Sequence, residues 1–245
     1  MTNVLTAEVY QNRFLPAGST TVNAVLTVAV SGPAVAGTPD TSGAAQVIMV
    51  DCSGSMASPR HKIAEAIKAT TTAIDTLPDG VAFGIIAGRS EATMVYPQTA
   101  VLAVADPRTR AEARTAVAGL IASGGTALGS WLSLANVLFA AHPAAFKHAI
   151  MLTDGQNQHE TPEQLAAVLR ECEGRFICDT RGVGDDWSGA ELRAVASALL
   201  GTADGLPDPT GLAADFRAMT EAAMARRWPP SRCGCGHRWT PGSAS

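Results

Sequence analysis

From residue 46 onward, short runs that are apolar at nearly every position alternate with longer stretches where apolar residues return every three or four places. The first kind reads as strands buried on both faces, the second as helices. QVIMVD (46–51), VAFGIIAG (81–88), KHAIMLTD (147–154) and RFICDTRGVG (175–184) predict strands, and TMVYP (93–97) a shorter one suited to an edge. Helices are predicted over 62–77, 109–122, 127–141, 162–173, 189–200 and 209–225. In the first, Ile63, Ile67, Ile74 and Leu77 fall near helical spacing; in the fourth, Thr161 and Pro162 suit a cap and a first turn. Apolar strands alternating with helices predict an α/β domain over 44–225, with a doubly wound, mostly parallel sheet flanked by helices.

The two ends of the chain break this pattern. VLTAEVYQNRFLPAG and VNAVLTVAV near the start are β-like, and SGPAVAGTPDTSGAA (31–45) is rich in Gly, Pro, Ser and Ala. Residues 1–43 therefore read as a small N-terminal β extension and linker. RRWPPSRCGCGHRWTPGSAS (226–245) has no periodic apolar positions and forms an irregular tail. It admits three readings: a partial zinc site from Cys233, Cys235 and His237, a disordered Pro/Gly-rich tail, or a stretch read out of frame. With G/C-ending codons, the neighbouring frame would extend the last helix and start an alternating strand, the partner the N-terminal β segment needs.

Composition narrows the class. Of 245 residues, 47% are hydrophobic and 16% charged, which is ordinary for a globular chain, and the net charge of −4 provides no basic footprint for nucleic acid. No apolar run reaches the roughly 20 residues that span a bilayer. MTNVLTAEVYQNRF lacks a basic segment followed by an apolar core, so a cytoplasmic protein with no membrane partner is expected. The five cysteines are expected to be reduced and mostly buried.

Two of the predicted strands end in an acid, Asp51 and Asp154. In doubly wound sheets, ligands bind beyond the carboxyl ends of the strands. After Asp51 the chain continues Cys-Ser-Gly-Ser, so a carboxylate and two hydroxyls, Ser53 and Ser55, stand at alternate positions of a turn. SGGTALGS (123–130) presents Thr126 before a helix, and MLTDGQ (151–156) presents Asp154. Taken singly, such residues serve as helix caps or turn residues. Together they form an oxygen-only set suited to a hard cation such as Mg²⁺, or Mn²⁺, with the hydroxyls bound directly and the acids partly through water.

DCSGSM, GGTALG and LTDG resemble the metal-ion-dependent adhesion site of the von Willebrand factor A domain family, Asp-x-Ser-x-Ser with a distant Thr and Asp. The resemblance covers about residues 44–225 and keeps all five positions in order. It implies a divalent ion held by Asp51, Ser53, Ser55, Thr126 and Asp154. It also implies a protein partner whose Glu or Asp completes the shell, since the family consists mostly of binding modules and not enzymes. The extension and the missing leader resemble its intracellular bacterial branch, found in signalling and assembly systems.

The alternative is a metal-assisted phosphohydrolase using the same ion. It lacks a second acid two residues after Asp51, a G-x-S-x-G elbow and a phosphate-binding loop. GVGDDWSG (182–189) departs from a dinucleotide fingerprint because Trp187 takes the place of the third glycine. Asp185 and Asp186 there are expected as loop charges. His159 is the one nearby candidate base; as an exposed rim residue, its replacement is expected to leave a binding module intact.

Overall fold

The computed structural model describes residues 4–11, 24–31, 43–58, 61–154, 156–183, 187–206 and 208–225. The chain divides into two compact units, Met1–Pro39 and Asp40–Ser245. In the first, β1 (Val4–Gln11) and β2 (Ala24–Ser31) form an antiparallel pair in the register Val4↔Ser31 to Gln11↔Ala24.

The second unit is built on β3 (Ala44–Asp51), whose eight residues are all buried. It pairs in parallel with β4 (Ala82–Gly88) on one side and β7 (Phe146–Thr153) on the other. β8 (Ile177–Val183) and β9 (Ala203–Leu206) continue the parallel set beyond β7. At the opposite edge, β5 (Thr93–Tyr96) and the two-residue β6 (Ala103–Val104) run antiparallel to β4. The order β5-β4-β3-β7-β8-β9 reverses direction at β3, which makes the sheet doubly wound.

Side chains alternate across this sheet because the strand period is two. Ile48 and Val50 of β3 face a core shared with α1 (His61–Thr76), α2 (Pro107–Ala118) and α6 (Leu212–Ala225). Ala45, Val47 and Met49 face the other, shared with α3 (Leu128–Ala140), α4 (Pro162–Cys172) and α5 (Gly189–Ala198). Covering on both faces is the reason that the central strands are apolar throughout.

Local chemistry fixes where the helices begin. Asp106 and Thr109 form a reciprocal capping box, with Pro107 in the first turn, so α2 starts two residues before the periodicity suggests. Thr161 and Gln164 do the same for α4, with Pro162 in its first turn. Residues Pro209–Gly211 form a separate 3-10 turn, and α6 proper starts at Leu212. The short strand β9 has no apolar run of its own. The sequence ADGL of β9 becomes a strand only because β8 offers it a free edge.

One polar cluster sits at the amino ends of β7 and β8, far along both strands from Asp154. The Asp179 carboxylate meets His148 Nε2 at 2.9 Å and accepts from the Thr202 backbone N–H at 2.6 Å and the Thr202 hydroxyl at 2.8 Å. Burial alone would raise its pKa, but these partners hold the carboxyl well below the usual range. A depressed carboxyl adds stability above its unfolded pKa and loses it as pH falls through the folded value. Asp179→Ala should therefore cost about 3–5 kcal/mol in urea unfolding at neutral pH. That loss should shrink as pH drops below about 4.

Candidate functional site

β3 delivers Asp51 to the carboxyl edge of the sheet with no exposed surface. Its Oδ1 accepts the Ser53 backbone N–H at 2.7 Å, and its Oδ2 accepts the Thr153 hydroxyl from the neighbouring strand β7. Burial pushes the Asp51 carboxyl up, the hydrogen bonds from Ser53 and Thr153 pull it back, and the nearby Asp154 adds to the rise. The chain beyond Asp51 is tied down on both sides. Cys52 N–H donates to Gly88 O at 2.8 Å, and Cys52 O accepts Ser123 N–H at 2.6 Å. Gly54 N–H donates to Gly124 O at 2.9 Å. A 3-10 turn over Gly54–Ala57 then aims Ser55 back at the strand ends. The Ser53 and Ser55 hydroxyl oxygens are 2.9 Å apart, and the Ser55 hydroxyl donates to Asp154 Oδ1 at 2.7 Å.

Thr126 arrives on the loop before α3, where Gly124 takes a φ of +83° open chiefly to glycine. A Cβ on Gly125 would lie 1.8 Å from the His159 ring, so only glycine lets the histidine cover this loop. His159 Nδ1 accepts the Thr126 N–H at 3.2 Å, and its own backbone N–H donates to Thr126 O at 3.1 Å. The start of α3 is capped from outside the helix. Asn157 accepts from Leu128 N–H, and the Glu160 carboxylate takes the Gly129 and Ser130 N–H groups at 2.7 and 2.9 Å. A carboxylate there also suits the helix dipole.

Ser53, Ser55, Thr126 and Asp154 line one open cavity of about 540 Å³, whose wall also includes Gln156, Gln158, His159 and Trp187. Asp51 is not part of that lining and joins it through its bond to the Ser53 backbone. Trp187 rests over Gly182 and Gly205, partners in register on β8 and β9, where an added Cβ would meet the ring at 2.2 and 2.0 Å. Among the described residues no three His, Cys, Asp or Glu side chains gather. The donors at this cavity are hydroxyl and carboxylate oxygens, a set that fits a hard divalent ion.

Sequence reasoning missed three features. Lys62, read only as a helix start, places Nζ 2.8 Å from Asp154 Oδ2. Glu160 and Asn157 gave no local signal, because their partners lie some 30 residues earlier in the chain. His159 is exposed, as expected, but it clamps Thr126 because the chain after β7 folds back over the loop. Its replacement therefore disturbs the site and does not separate a binding module from an enzyme. Of the cysteines, Cys52, Cys172 and Cys178 are buried and free, and burial pushes the Cys52 thiol up to about 12. Asp185, Asp186 and the tail with Cys233, Cys235 and His237 lie outside the described residues.

A family model described as von Willebrand factor type A domain matches residues 45–204. The solved structure of a von Willebrand factor type A protein from Catenulispora acidiphila is 46% identical, with a TM-score of 0.79, and the match covers 90% of this chain. This chain spans 50% of that protein's length. Proximal thread matrix protein 1 of the mussel byssus, in a structure with a zinc-occupied MIDAS motif, is 24% identical over 76% of this chain and 47% of its own, with a TM-score of 0.57. BatB from Bacteroides thetaiotaomicron is 18% identical over 76% of this chain and its whole length, with a TM-score of 0.58. At these lower identities the likeness is one of fold. No curated protein matches.

Gly125→Ala should force His159 off the loop and free Thr126. It should lower stability by about 1–3 kcal/mol in thermal or urea unfolding. An unchanged melting point would show that the His159 clamp is dispensable.

Proposed function

The chain belongs to the von Willebrand factor type A domain family, and from that premise we propose that it is a divalent-metal-dependent protein-binding module. The observation that carries this reading is the convergence of Ser53, Ser55, Thr126 and Asp154 on one open cavity, with Asp51 bonded to the Ser53 backbone. In this reading the three hydroxyls hold Mg²⁺ or Mn²⁺, and the two carboxylates offset its charge, partly through water. When bound, the ion supplies a Lewis-acidic position open to an acidic side chain of a partner. The protein's own residues do the remaining work. The Asp51 bonds to Ser53 and Thr153 fix the turn, and the Ser55 bond to Asp154 sets the spacing of the donors. Asp154 is the one carboxylate in the described lining, and the rim residues Gln156 and Gln158 are neutral. Among the described lining residues, only Asp154 would repel an arriving Glu or Asp.

The setting we propose is an intracellular bacterial signalling or assembly system. The 46% identity to the Catenulispora protein supports its bacterial part. Among the described residues no helix is long and apolar enough to cross a membrane. The phosphohydrolase alternative gains nothing from the geometry, since the imidazole suggested as its base is engaged through Nδ1 in holding Thr126.

Calorimetric titration of Mg²⁺ and Mn²⁺ into metal-stripped protein tests the reading. One saturable site is expected, weakened at least about tenfold by Ser55→Ala or Thr126→Ala, the scale of losing a ligand or its support. Partner capture from bacterial extract should then vanish with chelator. A wild type that binds neither ion, or variants that bind as well as the wild type, would sink the proposal.

A further inference from the structure

Lys62 breaks two local rules at once. It lies in the first turn of α1, against the positive end of the helix dipole, and is only 5% exposed, where lysine is rarely found. Its ammonium is 2.8 Å from Asp154 Oδ2, in a pair with side chains 7% and 0% exposed. The other oxygen of Asp154 takes the Ser55 hydroxyl, so the lysine engages the oxygen turned away from that serine. Residues that break local rules and share a buried partner cluster at functional sites.

We propose that Lys62 sets the charge of the site, an inference resting on the metal-site reading above. Asp51 and Asp154 bring two negative charges, which offset the charge of a divalent ion and weaken its pull on an acidic partner. The lysine cancels one of them. The site then holds a lone ion less tightly, and the occupied site keeps one positive charge that a partner's carboxylate neutralises. The Lys62–Asp154 pair is itself buried, so water screens the lysine's charge less than it would an exposed one. Lys62 is thus a positioning and charge-setting residue that does not itself contact the partner.

The test is calorimetric titration of Mn²⁺ into metal-stripped full-length chain as wild type, Lys62→Met and Lys62→Gln, with melting curves with and without the ion. Both neutral variants should bind Mn²⁺ about tenfold more tightly or better, since an opposite charge at this range shifts a carboxylate's preference by one or more decades. Their metal-free melting temperature should fall, and the rise on adding Mn²⁺ should exceed that of the wild type. A merely structural lysine would weaken the ion along with the fold. If Lys62→Met does not fold without metal, Lys62→Gln gives the reading. Neutral variants that bind Mn²⁺ no more tightly than a wild type that does bind would overturn this inference and leave the metal site standing. No Mn²⁺ binding by any of the three proteins would overturn both. Binding by the neutral variants alone would overturn both, since the wild-type lysine would then exclude the ion and no occupied site would carry its charge.

Discussion

The structure is organised around two carboxylates that must stay buried near each other. Asp51 and Asp154 both have no exposed surface, and the nearby Asp154 adds to the burial that disfavours the charge on Asp51. Acids in such a position persist only when partners compensate them, and each oxygen of the two has one. Asp51 is met by the Ser53 N–H and the Thr153 hydroxyl, Asp154 by the Ser55 hydroxyl and the Lys62 ammonium. These partners come from the turn after β3, from β7 and from the first turn of α1. Holding the acids therefore fixes how three elements meet at the carboxyl edge of the sheet.

A second ring of contacts keeps that edge rigid. Trp131 of α3 packs against Gly88 at the end of β4, where a Cβ would lie 2.4 Å from the ring, and its Nε1 donates to Arg89 O at 2.7 Å. Glycine is needed there for close approach, not for unusual backbone angles. The same device seats Trp187 on Gly182 and Gly205, and His159 on Gly125. Bulky rings packed on glycines bring these chain segments into close approach. Packing of this kind positions donor oxygens more sharply than flexible loops would.

The local sequence was enough for a good part of this. The doubly wound sheet could be read because β3, β4 and β7 are buried on both sides, and burial on both sides leaves continuous apolar runs. The terminal acids stood out against those runs. The Asp-x-Ser-x-Ser turn could be read because three donors within five residues leave a local trace. Thr126 and Asp154 could be joined to them because parallel strands end on one edge and loops leave from it. The boundaries of α2 and α6 were less legible, since a capping box and a 3-10 turn shift a helix start without altering the apolar period.

What the sequence by itself determined was the layering, the edge where chemistry gathers and the residue types offered there. Each follows from periodicity and from spacing within a few residues. Only the tertiary structure decided that Lys62 pairs with Asp154, 92 residues away, that Glu160 caps a helix 30 residues earlier, and that His159 clamps Thr126. It alone also made ADGL a strand, through the free edge of β8. The physical reason is common to all four. Such partners are selected by where the folded backbone places them and by the cost of leaving a buried charge or backbone group unpaired, and neither quantity exists until the chain has folded.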